Sequence, residues 1–324
     1  MTPPGMTHPS MTSVFIDGAA GTTGLEIAER LSGRDELSLI ILPEDRRKDD
    51  AARAEALNDC DIAVLCLPDD AARAAVAMIR NDRTRVIDAS TAHRIAPGWT
   101  YGFPELVGHD NVAQARFVAN PGCYPTGFLA LIAPLVRAGL LPADWPYTIN
   151  AVSGYSGGGK ALIEHFEAAK QNHKSIAFRA YGLAMGHKHV AEMKALAGLA
   201  HDPLFAPAVV DAYRGMVVEV PLPIGAMPGA ADPDALRSAL AEFYAGSSLV
   251  SVSLDTPAEL LLHADTPASD CLELFVFGSA DGSQARLIAR LDNLGKGAGG
   301  AAVQNLNLMA DLPETQGLRL TPLG

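Results

Sequence analysis

Short apolar runs alternate with amphipathic stretches of helix length through the first third of the chain. Residues 14–16, 37–42, 61–67, 85–88 and 117–119 read as buried strands. Between them, Leu25, Ile27, Ala28 and Leu31 share one helical face, and residues 50–57 and 69–80 repeat the pattern. Asp69 and Asp70 open the last of these helices, where negative charge suits the helix dipole. This alternation predicts an α/β, doubly wound parallel sheet. From about residue 146 the pattern changes: a strand over 147–152 and a helix over 160–170 precede long alternating strands at 209–220, 249–254, 271–278 and 285–291. Helical patterns at 188–199 and 232–244 complete an α+β domain with a mainly antiparallel sheet covered by helices on one face. A glycine-rich turn at 292–301 then leads into Val303, Leu306, Leu308 and Met309, which predicts a helix returning to the first domain. The chain therefore divides into a disordered leader (1–13), a first domain (14–120 with 295–324) and a second domain (121–294).

Composition narrows what such a fold does. Hydrophobic residues at 48% and charged residues at 19% fit two ordinary globular cores. A net charge of −12 argues against nucleic acid or an anionic membrane as partner, so an anionic small molecule would need a local basic pocket. No apolar run is long enough to span a bilayer. Residues 1–13 lack the basic and apolar regions of a signal peptide and read as a leader or a late start, with Met6 and Met11 as alternatives. Four cysteines without paired spacing give neither a disulfide framework nor a zinc motif, and a reducing, cytoplasmic setting fits.

The first strand runs into Asp17-Gly18-Ala19-Ala20-Gly21-Thr22-Thr23-Gly24 and then a helix, the context that a dinucleotide-binding fingerprint requires. Gly18 allows the tight turn, Gly21 lets backbone N–H groups reach a pyrophosphate, and Gly24 lets helix and strand approach. Thr22 and Thr23 add hydroxyl donors. After the second strand, Arg46-Arg47-Lys48 outweigh Glu44 and Asp45 and point to the 2′-phosphate of NADP, with Arg46 the named contact. Ser90 and Thr91 lie at another strand end on the cofactor rim, and Arg94 is placed to meet an anion. Four glycines among residues 154–159 make the Ser153-Gly154 segment a loop that lets backbone approach a ligand. Asn305 is placed to face the nicotinamide.

Pro121-Gly122-Cys123-Tyr124-Pro125-Thr126 joins a strand to a helix whose face is Phe128, Leu129, Ile132, Ala133 and Val136. Cys123 then stands at a helix start, where unpaired N–H groups and the dipole favour thiolate. Pro125 is harmless in a first turn, and Pro134 is expected to bend or end the helix. Cys60, Cys66 and Cys271 have no such setting and read as structural. The segment from Tyr181 to Glu192 holds His187 and His189. No nearby residues complete a metal ligand set, so one imidazole is read as an acid/base beside Cys123. His187 is preferred because Gly186 frees its approach, with His189 and Glu192 in support.

Gly18–Gly24, Tyr101-Gly102-Phe103-Pro104-Glu105-Leu106, Pro121–Thr126, His187-x-His189-x-x-Glu192 and the run from Lys296 to Leu308 occur in this order. Together they resemble the N-acetyl-gamma-glutamyl-phosphate reductases of arginine biosynthesis, shorter type, from Val14 to Met309. Aspartate-semialdehyde dehydrogenases share the glycine loop, the cysteine and the closing Lys-Gly…Asn-Leu pattern, and they or another acyl-phosphate reductase are the alternative. The resemblance implies reduction of N-acetyl-glutamyl 5-phosphate to the 5-semialdehyde with NADPH, through a thioester on Cys123. It implies His187 as acid/base, Arg94 on the phosphate, Lys188 on a substrate carboxylate with Glu192 at the same subsite, and a homo-oligomer, dimer or tetramer. Where the longer type has Ser-Ala-Asp-Phe-Arg, this chain has Ser90-Thr91-Ala92-His93-Arg94.

Overall fold

The structure is a computed structural model and describes residues 11–323. Most of the expected leader lies outside the described residues. The first part of the chain runs β1 (Thr12–Asp17), α1 (Thr22–Leu31), β2 (Leu37–Ile40), α2 (Asp50–Asp59), β3 (Ile62–Leu65), α3 (Asp69–Met78) and β4 (Arg85–Asp88). Then come β5 (Thr100–Tyr101), α4 (Pro104–Val107), α5 (His109–Gln114) and β6 (Phe117–Ala119). The strands form one parallel sheet in the order β2-β1-β3-β4-β6-β5. The order reverses at β1, so the C-terminal ends of β1 and β3 flank a crevice of the kind that takes nucleotides. β1 starts two residues earlier than its apolar run, because Ser13 N–H and Oγ both donate to Asp61 Oδ2 (2.8 and 2.7 Å) and extend the ladder into polar sequence.

The second part runs α6 (Cys123–Arg137), β7 (Thr148–Gly154), α7 (Gly159–Gln171), β8 (Phe178–Ala180), α8 (His189–Ala197), β9 (Leu204–Val210) and β10 (Met216–Leu222). It closes with α9 (Pro233–Phe243), β11 (Val250–Val252), β12 (Leu272–Gly278), β13 (Ala285–Leu291) and α10 (Gly300–Met309). Its sheet, in the order β11-β12-β13-β10-β7-β9-β8, is mixed: β11·β12 and β7·β9 are parallel, the other neighbours antiparallel. α6 is buried on every side from Tyr124 to Leu135, and its apolar side chains share one core with β7, β10, β12 and β13. A helix apolar all round belongs at the centre of a core rather than on its surface.

Two expectations are corrected. Residues 209–220 are not one strand but the end of β9 and most of β10, which lie on either side of β7. The intervening arch folds over the end of β7, where Gly154, Tyr155 and Ser156 N–H donate to the carbonyls of Gly215, Ala212 and Tyr213. Gly215 makes the reversal at φ +102°. Pro134 does not end α6, which continues to Arg137, because another donor replaces the N–H that proline lacks: Tyr244 Oη–H reaches the Ala130 carbonyl at 2.9 Å. Short β5 and β8 carry too few residues for a readable period.

α10 returns as expected. Ala302, Val303, Leu306 and Met309 pack with Val14, Ile16 and Ile27 in the core of the parallel sheet. Ionic contacts bind the two sheets' layers together. Arg30 of α1 grips both oxygens of Asp270 (3.1 and 2.9 Å) and Glu26 (2.6 Å); Arg214 of the arch joins Glu26 (2.7 Å) to Asp292 (2.8 Å). Arg30 and Asp270 are both out of solvent, so the pair is fully desolvated and fixes one seating of α1.

Candidate active site

The strand ends of the parallel sheet, the start of α6 and the end of β7 enclose a cleft of about 610 Å³. α1, α6, α7 and α8 all begin in its wall, and none has a side-chain N-cap. Uncapped first turns direct backbone N–H groups and positive dipole ends at whatever fills the space. The side chains agree with the backbone. Arg94, Lys160, Arg179 and Lys188 line the cleft, and no carboxylate does. A chain of net charge −12 thus presents four cations at one cavity, an arrangement suited to a ligand with several anionic groups.

The glycine loop occupies one end. Gly18 turns at φ +88°, and a Cβ there would stand 2.3 Å from the Cys66 carbonyl oxygen. One at Gly24 would stand 2.4 Å from the Gly18 oxygen. Neither position admits a side chain, and Gly21, Thr22, Thr23 and Gly24 line the cleft as a result. Gly18 is therefore part of the turn's geometry, behind the lining. Ser153 and Gly154 line the opposite wall, with Ser153 Oγ donating to the Gly154 carbonyl at 3.0 Å.

Cys123 is the first residue of α6 and lines the cleft beside Gly297, where an added Cβ would stand 2.9 Å from Cys123 Cβ. The helix start does not by itself yield a thiolate. Burial pushes the thiol up to about 11, and the opposing pull of Arg94 and of the Tyr124 N–H does not overcome it. His187 and His189 also line the cleft, with ring centroids 4.7 Å apart. Burial, then Lys188, holds His187 below its ordinary value; burial, then Arg94, His187 and Lys188, holds His189 well below. Both rings are therefore neutral near pH 7 and available as proton acceptors. His189 N–H donates to His187 Nδ1 at 3.2 Å, which leaves the His187 proton on Nε2, whereas His189 Nδ1 has no partner.

Behind Cys123 lies a buried polar cluster. Arg94 Nη1 donates to Glu192 Oε1 (2.6 Å), Arg94 Nε to the Asn120 carbonyl (3.0 Å) and Arg94 Nη2 to the Ala89 carbonyl (3.4 Å). Tyr101 Oη–H and Gly122 N–H both reach Glu192 Oε2 (3.0 and 3.4 Å). Gly122 is required at this point: a Cβ would stand 2.5 Å from Arg94 Nη1 and 2.8 Å from both Glu192 Oε1 and His189 Nε2.

Several expected contacts are placed elsewhere. Glu192 is committed to Arg94 and Tyr101 and is absent from the cleft lining, so it does not offer a carboxylate to a ligand. Ser90 is buried, its Oγ donating to Asp88 Oδ2 at 2.7 Å, so Ala89 rather than Ser90 reaches the cleft. Asn305 is fully buried and donates to the Gly102 carbonyl (2.9 Å) and Asn120 Oδ1 (3.1 Å), so it supports Asn120, which does line the cleft. Arg46 is half-exposed, 3.8 Å from Glu55, outside the lining. Arg179, Lys160, Tyr181 and Asn293 line the cleft without having been singled out in sequence. Arg179 comes in with β8, Lys160 follows the glycine-rich loop at 154–159, Tyr181 opens the segment that ends at Glu192, and Asn293 precedes the glycine-rich turn before α10.

Comparison with known proteins agrees with this architecture. Residues 13–115 match the family described as "Semialdehyde dehydrogenase, NAD binding domain", and residues 123–293 match "Semialdehyde dehydrogenase, dimerisation domain". An aspartate semialdehyde dehydrogenase structure from Francisella tularensis superposes with a TM-score of 0.71 at 12% identity, covering 92% of this chain and all of that one (100%). One from Vibrio cholerae, complexed with ASA, gives 0.65 at 18% identity, covering 93% and 99%. These show the fold. Sequence relatives are much nearer. The chain is 49% identical to N-acetyl-gamma-glutamyl-phosphate reductase 2 of Nostoc sp., covering 94% of this chain and 98% of that protein. It is 52% identical to the N-acetyl-gamma-glutamyl-phosphate reductase of Burkholderia ambifaria, covering 93% and 96%. Identity of this order over nearly the full length of both chains, on a fold that gathers Cys123, His187 and His189 at one cleft, places this protein in the N-acetyl-gamma-glutamyl-phosphate reductase family.

Proposed function

We propose that the chain reduces N-acetyl-L-glutamyl 5-phosphate to the 5-semialdehyde, releasing phosphate, with NADPH as reductant, as a step of arginine biosynthesis. The observation that carries this reading is the cleft itself: a cysteine at an uncapped helix start, two neutral imidazoles in the same lining, and four cations but no carboxylate among the residues that line it. In this reading residues 14–120 with 295–324 hold the cofactor, residues 121–294 carry catalysis and self-association into a dimer or tetramer, and the enzyme works in the cytoplasm. Among the described residues no helix is long and apolar enough to cross a membrane.

The cofactor fits the residues present. Gly21 to Gly24 form a cradle that the close approach behind Gly18 and Gly24 keeps free of side chains. Uncapped α1 supplies N–H groups for a pyrophosphate, and Gly154 and Ser153 offer backbone and hydroxyl on the opposite side. Arg46, Arg47 and Lys48 stand beyond the end of β2, the position from which a 2′-phosphate is read. When bound, reduced nicotinamide supplies the hydride that carries the acyl group to the aldehyde level.

The chain's own residues do the rest. Cys123 Sγ attacks the acyl carbon and its S–H proton passes to an imidazole, which must accept it because burial keeps the resting thiol protonated. His187 takes this part; the 3.2 Å contact at Nδ1 is at the weak end of hydrogen bonding and opens at small cost. The C–O bond to phosphate breaks as the thioester forms, and the Cys123 N–H at the head of α6 faces the developing oxyanion. His187 then returns its proton to the oxygen of the reduced adduct, and takes it back as the C–S bond breaks. Because Arg94 spends three donors on protein acceptors, the departing phosphate and the substrate carboxylate fall to Lys188 and Arg179. Among the described residues neither forms a salt bridge; Arg179 lies over the Tyr181 ring at 5.2 Å.

The test is phosphate-dependent oxidation of N-acetylglutamate semialdehyde, run beside aspartate semialdehyde with NADP and with NAD. Turnover of the acetylated substrate with NADP is expected. Preference for aspartate semialdehyde would instead make this an aspartate-semialdehyde dehydrogenase.

A further inference from the structure

We propose that Tyr101 is a positioning residue for the reaction at Cys123, acting through Glu192 to hold Arg94, Gly122 and the start of α8 in their working arrangement. The inference rests on the reading of Cys123 and the imidazoles as the reacting groups.

Tyr101 is the second residue of the short strand β5 and belongs to the parallel sheet; Glu192 lies in the first turn of α8, in the other half of the molecule. Their hydrogen bond at 3.0 Å is therefore a tie across the seam that forms the cleft. Both groups are buried, so the contact is not diluted by water. Glu192 is the hub. One oxygen takes the Arg94 guanidinium at 2.6 Å, and the other takes Tyr101 and the Gly122 N–H. His189 Nε2 stands 4.0 Å from the Arg94-bound oxygen, close enough to feel the charge but beyond hydrogen bonding.

Each partner matters to the cleft. Gly122 caps α6 and precedes Cys123, so the Glu192 contact bears on the position of the sulfur. Arg94 fills the space against Gly122, and α8 begins with His189, two residues after His187. Burial of Glu192 pushes its carboxyl up, against the pull of Arg94, Tyr101 and Gly122 toward the charged form. With the Tyr101 hydroxyl removed, Oε2 retains only a 3.4 Å contact, and the carboxylate is free to swing toward His189. Tyr101 itself touches neither the cleft nor a reacting atom: it is absent from the lining.

The experiment is a kinetic cycle on the full-length enzyme with Tyr101→Phe, Glu192→Gln and the double variant. Tyr101→Phe is expected to lower kcat about tenfold, the scale of one hydrogen bond to a buried charge, with both KM values held within about twofold. Glu192→Gln lowers kcat at least as much, and adding Tyr101→Phe to it costs nothing further, because the hydroxyl acts only through that carboxylate. NADP binding followed by fluorescence verifies an intact cleft in each variant. Unchanged kcat in Tyr101→Phe, or losses that simply add in the double variant, would overturn the proposal. Should Tyr101→Phe fail to fold, Glu192→Gln alone decides, since full kcat there removes the hub. Absence of turnover in the unaltered enzyme would instead sink the functional reading on which this one stands.

Discussion

The Tyr244 hydroxyl donates to the Ala130 carbonyl at 2.9 Å, four residues before Pro134 in α6. That carbonyl would ordinarily receive the N–H of residue 134, which proline lacks. A side chain from the end of α9 thus completes a helix that carries Cys123 at its other end. Tyr244→Phe is expected to cost about 1–3 kcal/mol, the price of an unsatisfied buried carbonyl, measured by urea unfolding. Pro134→Ala restores an N–H at the same point and should recover much of that loss in the double variant. Losses that add would show that the hydroxyl does not substitute for the missing donor.

Cys123→Ser should still bind NADP and lose nearly all turnover, since an oxygen ester is far less reactive toward hydride than a thioester. Single-turnover assays with cofactor titration measure both. Substantial residual activity would remove Cys123 from its role. His187→Asn should slow turnover far more than His189→Asn; the reverse order would transfer the proton-accepting part to His189, whose Nδ1 is unpartnered.

The pH dependence follows from the direction of the His187 shift. A proton acceptor must be neutral, and burial with Lys188 nearby holds this imidazole below 6.5. Activity attributable to His187 should therefore persist as pH falls through 6.5 and decline only below it. A pH profile of kcat/KM at constant ionic strength checks this, and an acidic midpoint above 6.5 would contradict it.

Arg30→Ala should destabilise the protein by about 3–5 kcal/mol, because it leaves Asp270 buried without its charged partner. Arg34, in the loop after the same helix, is a fair control. Its partner Glu36 is a quarter exposed, and Arg34→Ala should cost clearly less. Denaturant titration compares the two; equal costs would argue that the Arg30 pair contributes no more than a surface contact.

Much of this molecule was legible in its chain. Periods of two and of 3.6 mark most elements, since burial on one face imposes them locally, and a glycine that must pass within contact of a carbonyl cannot be disguised by context. The strand–glycine–helix order at Gly18–Gly24 and the strand-to-helix turn at Cys123 are properties of adjacent residues, and sequence states them directly. Contacts between distant residues are another matter. Nothing near Pro134 announces Tyr244, nothing near Glu192 announces Tyr101, and the split of residues 209–220 into strands flanking β7 depends on where β7 lies. The charge state of Cys123 was decided the same way: a helix start favours thiolate, but the amount of protein packed around the sulfur is a property of the closed cleft, and burial prevails. Sequence determines what each segment is able to be; desolvation and hydrogen-bond partnership, which depend on what lies opposite, are settled only when the two halves meet.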